Sequence, residues 1–342
     1  MTDVAMTRII PAHDPLGRDA DALARAAAIL RAGGLVAFPT ETVYGLGANA
    51  LDAAAVRRIF AAKGRPAYNP LIAHVADIAG ACALVTEWPP LAQALAERFW
   101  PGPLTLVLPK RAMVPDEVTA GRGSVAVRVP AHPVALALLA AAGVPLAAPS
   151  ANRFTELSPV TAAQVARSLG DGVDLILDGG RTDVGIESTV IDLSVFPPVL
   201  LRPGTITRAE IEAITGPLGA PDALEAEDAP RAAPGMIARH YAPRARVRLV
   251  TSDAMDTVMR EAAARPDVRV AAVTWSDRAF ASGAGLAVHH RLPMLAVEYA
   301  AELYDTLHAI DDAQCVEVLV ELPPEDRVWD GVRDRLTRAA HH

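Results

Sequence analysis

The chain has 342 residues, 51% hydrophobic and 21% charged, with a formal net charge of -8, a length that suits two domains with separate cores. Acids outnumber bases in both parts: 20 Asp+Glu against 18 Lys+Arg over residues 1–215, and 20 against 14 over 216–342. That balance excludes the basic excess of a protein that lives on nucleic acid and leaves room only for local contact.

Residues 20–32 read as an alanine-rich helix stopped by Gly33-Gly34. Leu35 to Phe38 is a buried strand, followed by PTETVYGLGANA. The glycines there read as tight turns. A dinucleotide fingerprint is disfavoured, because GLGANA begins well after the strand and no acid closes a second strand at the required distance. Asp52 caps the next helix, where Val56, Ile59, Phe60 and Lys63 recur at helical spacing. Strands follow at 70–75, 103–108, 124–129, 144–148, 173–178, 187–193 and 199–202, with helices at 89–99, 132–142 and 161–169. Thr161 with Gln164, and Thr207 with Glu210, are capping-box pairs that mark two helix starts. Runs such as LVAF and VDLIL are apolar on both faces, which suits a covered sheet. The fold class is α/β: one domain of mixed strand order over 1–215, a proline- and alanine-rich linker over 216–243, and a second domain over 244–342. In that second domain ARVRLV, VRVAAVTW, GLAVHH and VEVLVEL alternate with helices near 253–264, 294–309 and 331–340, the pattern of a small doubly wound parallel sheet.

Cys82 and Cys315 lie far apart, each beside apolar residues, and read as buried free thiols in a reducing compartment. MTDVAMTRII has no apolar leader region, and the longest apolar stretch, Val134 to Pro149, is interrupted by Gly143 and Pro145. The expectation is a cytoplasmic chain with no membrane span.

The chemistry-bearing stretch is KGRPAYNPLIAH, Lys63 to His74, where Pro66 and Pro70 stiffen a loop carrying Lys63, Arg65 and His74. Of 32 Lys+Arg, only Lys63 and Lys110 are lysines. A compact ammonium among guanidiniums points to an anion site; a basic cap on a helix C-terminus is the other reading, and both stand at this point. No Walker A, HExxH, cysteine pair or Gly-x-Ser-x-Gly occurs, and His289-His290 sits at a strand end without metal-ligand spacing. What remains is a scattered set at strand ends and the loops beside them: Arg128, Ser150, Asn152, Ser158, Ser188, Thr189 and Arg202. Singly, each reads first as structural, an edge charge or a turn. Together they are what a polyphosphate needs, charge to neutralise it and donors to orient its oxygens.

AFPTETVYGLGANA, KGRP…NPLIAH, SVAVRVPAHP, APSAN…SP, ESTVIDL and LRPG, in that order, resemble the YrdC-like family. Its Lys-x-Arg…Ser-x-Asn signature is met by Lys63, Arg65, Ser150 and Asn152, and PGMIARHYAPRA is similar to the linker of the long, two-domain (Sua-type) members. The resemblance implies a twisted mixed sheet with helices plus a C-terminal Rossmann-like domain. It also implies a nucleotidyl transfer in which L-threonine, bicarbonate and ATP give threonylcarbamoyl-AMP and pyrophosphate, the product then serving other proteins that modify tRNA. By motif position it makes Lys63 and Arg65 catalytic, and it gives threonine to Thr42, His74, Arg128, the Ala148 backbone and Ser188. The nucleotide falls to Arg65, Asn69, Ser124, Ser150, Asn152, Ser158, Arg202 and Tyr241, with Mg²⁺ carried on ATP and no metal cage of protein ligands. Tyr241, in MIARHYAP, would then act as a lid over the adenylate, unless residues 217–342 only stabilise or dock. One departure is the absence from SANRFTELSP of a glycine common in the family. Two rivals are kept: carbamoyl-adenylate chemistry, which lacks its accompanying zinc-finger cysteines here, and a weak RNA-binding module using a patch of Arg57, Arg58, Lys63 and Arg65.

Overall fold

The computed structural model describes residues 8–219, 240–265, 267–277 and 286–341, so most of the expected linker, including the start of MIARHYAP, lies outside the described residues. The chain divides into two compact units. The described residues up to 219, apart from Thr155–Leu157 and Val184–Ile186, make up the first, and those two segments group with the residues from 240 onward in the second.

The first unit is built on β1 (Ile9–Pro11), β2 (Val36–Pro39), β3 (Tyr44–Asn49), β4 (Ile72–His74), β5 (Leu104–Pro109), β6 (Ser124–Arg128), β7 (Leu146–Ala147), β8 (Leu175–Asp178), β9 (Thr189–Asp192) and β10 (Val199–Arg202). They form one sheet in the order β1-β8-β2-β3-β7-β4-β6-β5-β9-β10. Pairing is mixed: β4 runs parallel to β6 and β5 to β9, while β3 is antiparallel to both β2 and β7. Both faces of β2 are covered, as its apolar run requires. Leu35 and Ala37 join one core with Val56 and Ile59 of helix Ala53–Lys63 and Leu95 of helix Pro90–Phe99. Val36 and Phe38 join the other with Leu30 of helix Ala20–Arg31 and Leu138 of helix Pro133–Ala142.

The helix starts follow their side-chain signals. Asp52 accepts from the N–H groups of Ala54 and Ala55, and Thr161 with Gln164, and Thr207 with Glu210, close complete capping boxes.

Two strands escape a reading by pattern. β1 is only three residues long. The GLGANA glycines, expected in tight turns, instead lie in β3. A Cβ on Gly47 would stand 2.7 Å from Phe38 Cε1, and one on Gly45 3.3 Å from Ala148 Cβ. Glycine is used here for close packing against a neighbouring strand rather than for chain reversal.

In the second unit β11 (Arg246–Val250), β12 (Val270–Thr274), β13 (Val288–Arg291) and β14 (Glu317–Glu321) form an all-parallel sheet in the order β11-β14-β12-β13. Helices Met255–Ala263, Ala296–Asp312 and Asp330–Ala339 accompany it. His289 and His290 occupy the middle of β13 rather than a strand end, and His289 Nε2 lies 3.0 Å from Thr274 Oγ1. Tyr241 is buried in this unit, 5.1 Å beneath the Arg335 guanidinium and 6.0 Å from the Tyr304 ring. Thr155 has φ +70°, and its carbonyl accepts from the Ala242 N–H at 3.0 Å. In the loop that lacks the family's glycine, a threonine therefore carries the left-handed conformation glycine adopts most easily. Cys315 is buried as expected, but Cys82 is only half-buried; both are free. Among the described residues no helix is long and apolar enough to cross a membrane.

The two kinds of glycine predict opposite outcomes. Gly47→Ala, with Phe38 at 2.7 Å and the Val36 carbonyl at 3.2 Å from the new methyl group, should cost about 1–3 kcal/mol in urea unfolding. Gly123→Ala, which meets nothing within 4 Å, should stay within about 0.5 kcal/mol of the parent. Equal losses would contradict the packing account.

Candidate active site

Strand alternation decides which side chains meet. On β4, Ala73 enters the core while Ile72 and His74 turn to the opposite face; on β6, Val125 and Val127 enter it while Ser124, Ala126 and Arg128 turn away. On β5, Leu104, Leu106 and Leu108 face the core, leaving Thr105 and Val107 opposite. The face so produced has a small apolar floor of Ile72, Val107, Ala126 and Val190, with polar residues at the strand ends around it.

Arg128 ends β6 opposite His74 of β4 and is buried. Its Nε donates to the Gly102 carbonyl at 3.2 Å and its Nη1 to Thr42 Oγ1 at 3.0 Å. Its Nη2 stands 2.7 Å from Glu41 Oε1 as an ion pair, although the N–H is not aligned for a hydrogen bond. Burial, and then the positive charge of Arg128, pull the His74 pKa down to about 3, so the imidazole is neutral at physiological pH. The Ala148 N–H donates to the Ile72 carbonyl at 3.0 Å.

A second group gathers at the far edge. Arg202 Nε donates to the Ser188 carbonyl at 3.0 Å and Nη2 to Ser188 Oγ at 3.1 Å. Ser188 Oγ lies 2.8 Å from Thr105 Oγ1.

The opening loop supplies the third. Gly64, at φ +62°, turns the chain out of helix Ala53–Lys63. Lys63 Nζ then donates to the Ser150 carbonyl at 2.6 Å and to the Asn152 carbonyl, with Asn152 Oδ1 at 3.4 Å. The lysine is a buried clamp on the 150–152 loop, not an exposed helix cap. Arg65 is held by the carbonyls of Asn69 at 3.1 Å and Pro70 at 2.8 Å and lies 6.0 Å from the Phe154 ring. Asn69 is fully buried, and both polar atoms of its side chain lack a hydrogen-bond partner among the described residues. Ser158 donates to Glu187 at 2.5 Å. Ser124 opens β6 on the same face as Arg128 but at the other end of the strand, and Tyr241 belongs to the second unit.

The basic patch suggested for RNA does not form. Lys63 and Arg65 are buried, while Arg57 pairs with Glu117 and Arg58 with Asp174 at 2.9 Å. Two residues of the face were missed in the sequence: Thr105, whose only signal is its place in the alternating LTLVL, and Glu41, which stands inside PTETVYG beside an assigned threonine.

Fold and site together define an α/β protein that gathers buried charged and hydroxyl side chains on one face of a mixed sheet. Residues 28–204 match the Sua5/YciO/YrdC family model, described as telomere recombination, and residues 206–341 match the threonylcarbamoyl-AMP synthase C-terminal domain. The chain is 41% identical over 330 residues to the threonylcarbamoyl-AMP synthase of Bacillus subtilis, covering 96% of this chain and 95% of that one. It is 57% identical over 191 residues to that of Pyrococcus abyssi, a match spanning 56% of each. The crystal structure of P. abyssi Sua5 complexed with L-threonine aligns with a TM-score of 0.87 at 42% identity over 97% of both chains. The chain belongs to the Sua5/YciO/YrdC family, in its two-domain threonylcarbamoyl-AMP synthase branch.

The depressed pKa of His74 makes a pH prediction. Because the folded state disfavours the charged imidazole, its contribution to stability is complete above the ordinary value of 6.5 and is lost as the pH falls from there toward about 3. His74→Gln should therefore lose less stability between pH 7 and pH 4.5, by up to about 2 kcal/mol in denaturant titrations. Parallel losses in both proteins would contradict a buried neutral His74.

Proposed function

We propose that this synthase condenses L-threonine, bicarbonate and ATP into threonylcarbamoyl-AMP, releases pyrophosphate, and passes the adenylate to proteins that modify tRNA. The observation that carries the reading is the buried grouping of Arg128, Thr42 and neutral His74. A planar guanidinium suits a carboxylate, and a hydroxyl beside an uncharged imidazole suits a substrate hydroxyl. L-Threonine carries both. Ser188 and the Ala148 backbone line the rest of the amino acid in this reading.

The threonine ammonium group first gives up one proton, and the resulting amine condenses with bicarbonate, with loss of water, to form a carbamate. A carbamate oxygen then attacks the α-phosphorus, and pyrophosphate leaves. Several anionic parties meet in one place, so positioning and electrostatic stabilisation supply most of the acceleration. Lys63 and Arg65 serve that role here, Lys63 by fixing the Ser150–Asn152 loop as well as by its charge. The unpartnered Asn69 amide, with Ser124, Ser150 and Arg202, is assigned to the nucleotide. Among the described residues no group of three or more His, Cys, Asp or Glu side chains is arranged to hold a metal ion. Mg²⁺ enters as part of the ATP substrate, and no protein ligand is assigned to it.

Pyrophosphate release with ATP, L-threonine and bicarbonate, each omitted in turn, tests the reading. Release should require all three. Arg128→Gln should raise the KM for threonine roughly tenfold to a hundredfold. Lys63→Ala and Arg65→Ala should lose far more turnover than Lys110→Ala, whose ammonium is engaged with Asp116, Thr119 and the Val114 carbonyl. Release independent of threonine, or equal losses at Lys63 and Lys110, would contradict it.

A further inference from the structure

Glu41 is a buried charge beside Arg128 that the reaction as described does not use. It is 7% exposed, and neither carboxylate oxygen receives a well-aligned hydrogen bond from any described residue. Its counter-charge is Arg128, with Nη2 at 2.7 Å from Oε1. His132 is a further ionisable group close to it: its own burial pulls its pKa down, while the charges of Glu41 and Asp183 pull it back up.

An ionised carboxylate offers about four lone-pair sites, and leaving them empty in a dry place is costly. A carboxylate kept this way is stabilised by a ligand that brings N–H donors and positive charge. The guanidinium beside it, assigned to a substrate carboxylate, sets the geometry of that ligand. An amino acid is a zwitterion whose two charged groups sit on one carbon. It needs a cation and an anion side by side, which the adjacent Arg128 and Glu41 provide.

We propose that Glu41 receives the α-ammonium group of the amino-acid substrate, so that Arg128 and Glu41 together recognise the zwitterion. The assignment rests on the reading of Arg128 as the carboxylate clamp. It makes Glu41 a binding and specificity residue: compounds carrying the carboxylate and hydroxyl but no amine are discriminated against at this position. Thr42 and His74, which are uncharged, contribute nothing to that discrimination.

The test is calorimetric titration of L-threonine and of its des-amino counterpart, 3-hydroxybutanoate, into the full-length wild type and Glu41→Gln. The variant keeps the shape of the side chain and removes its charge. The wild type should bind threonine at least roughly tenfold more tightly than the des-amino acid. Glu41→Gln should lose roughly tenfold or more of its threonine affinity and bind the des-amino acid at least as well as the wild type does. Equal loss for both ligands would make Glu41 only an orienting partner of Arg128, and tighter binding of both would make it a competitor for Arg128; either overturns the proposal. The wild-type comparison stands even if the variant does not fold, since equal affinities for the two ligands would show that the ammonium has no acceptor. A wild type that binds neither ligand would overturn the threonine reading itself, and this assignment with it.

Discussion

The structure turns on a guanidinium kept almost dry. Arg128 is placed at the end of a strand by period-two alternation, with Val125 and Val127 driven into the core and Arg128 left on the opposite face. A buried cation is tolerated only where its donors are used. Gly102, and the adjacent Glu41 and Thr42, are brought to it from two separate segments. Two hydrogen bonds and one ion pair hold the fork in place, and a fixed fork beside a neutral His74 gives the site its character.

Lys63 solves a different problem at the neighbouring loop. Its ammonium reaches two backbone carbonyls and approaches a side-chain amide oxygen. A tetrahedral head with rotatable donors suits that cluster better than a planar guanidinium, a physical reason for one of only two lysines in the chain to stand here. The helix it ends is capped at both ends, by Asp52 and by Gly64, so the ammonium is delivered from a rigid support. Arg65 follows directly, held by backbone carbonyls within its own loop. The signature pair is thus part scaffold and part charge.

Much of this was legible in the sequence where local physics decides. Capping boxes at Thr161 and Thr207 fixed helix starts, and apolar runs such as LVAF marked covered strands. The strand of Tyr44–Asn49 was not legible, because glycine in a sequence signals a turn unless the packing partner is known. That partner, Phe38, lies on a neighbouring strand. The RNA patch failed for the converse reason: four basic residues close in sequence were split by burial and by ion pairs with distant Glu117 and Asp174. Glu41 carried no periodic or spacing signal at all, since its meaning comes from contact with an arginine on another strand. Local signals gave the elements; the grouping of Arg128 with Thr42 and Glu41 depends on contacts between distant segments, which no local signal carries.

The most direct measurement is a crystal structure of this protein with L-threonine bound. The account predicts the threonine carboxylate within hydrogen-bonding distance of the Arg128 guanidinium, with its hydroxyl at Thr42 or His74. A carboxylate bound elsewhere, with Arg128 contacting only Thr42, Gly102 and Glu41 as it does here, would contradict it.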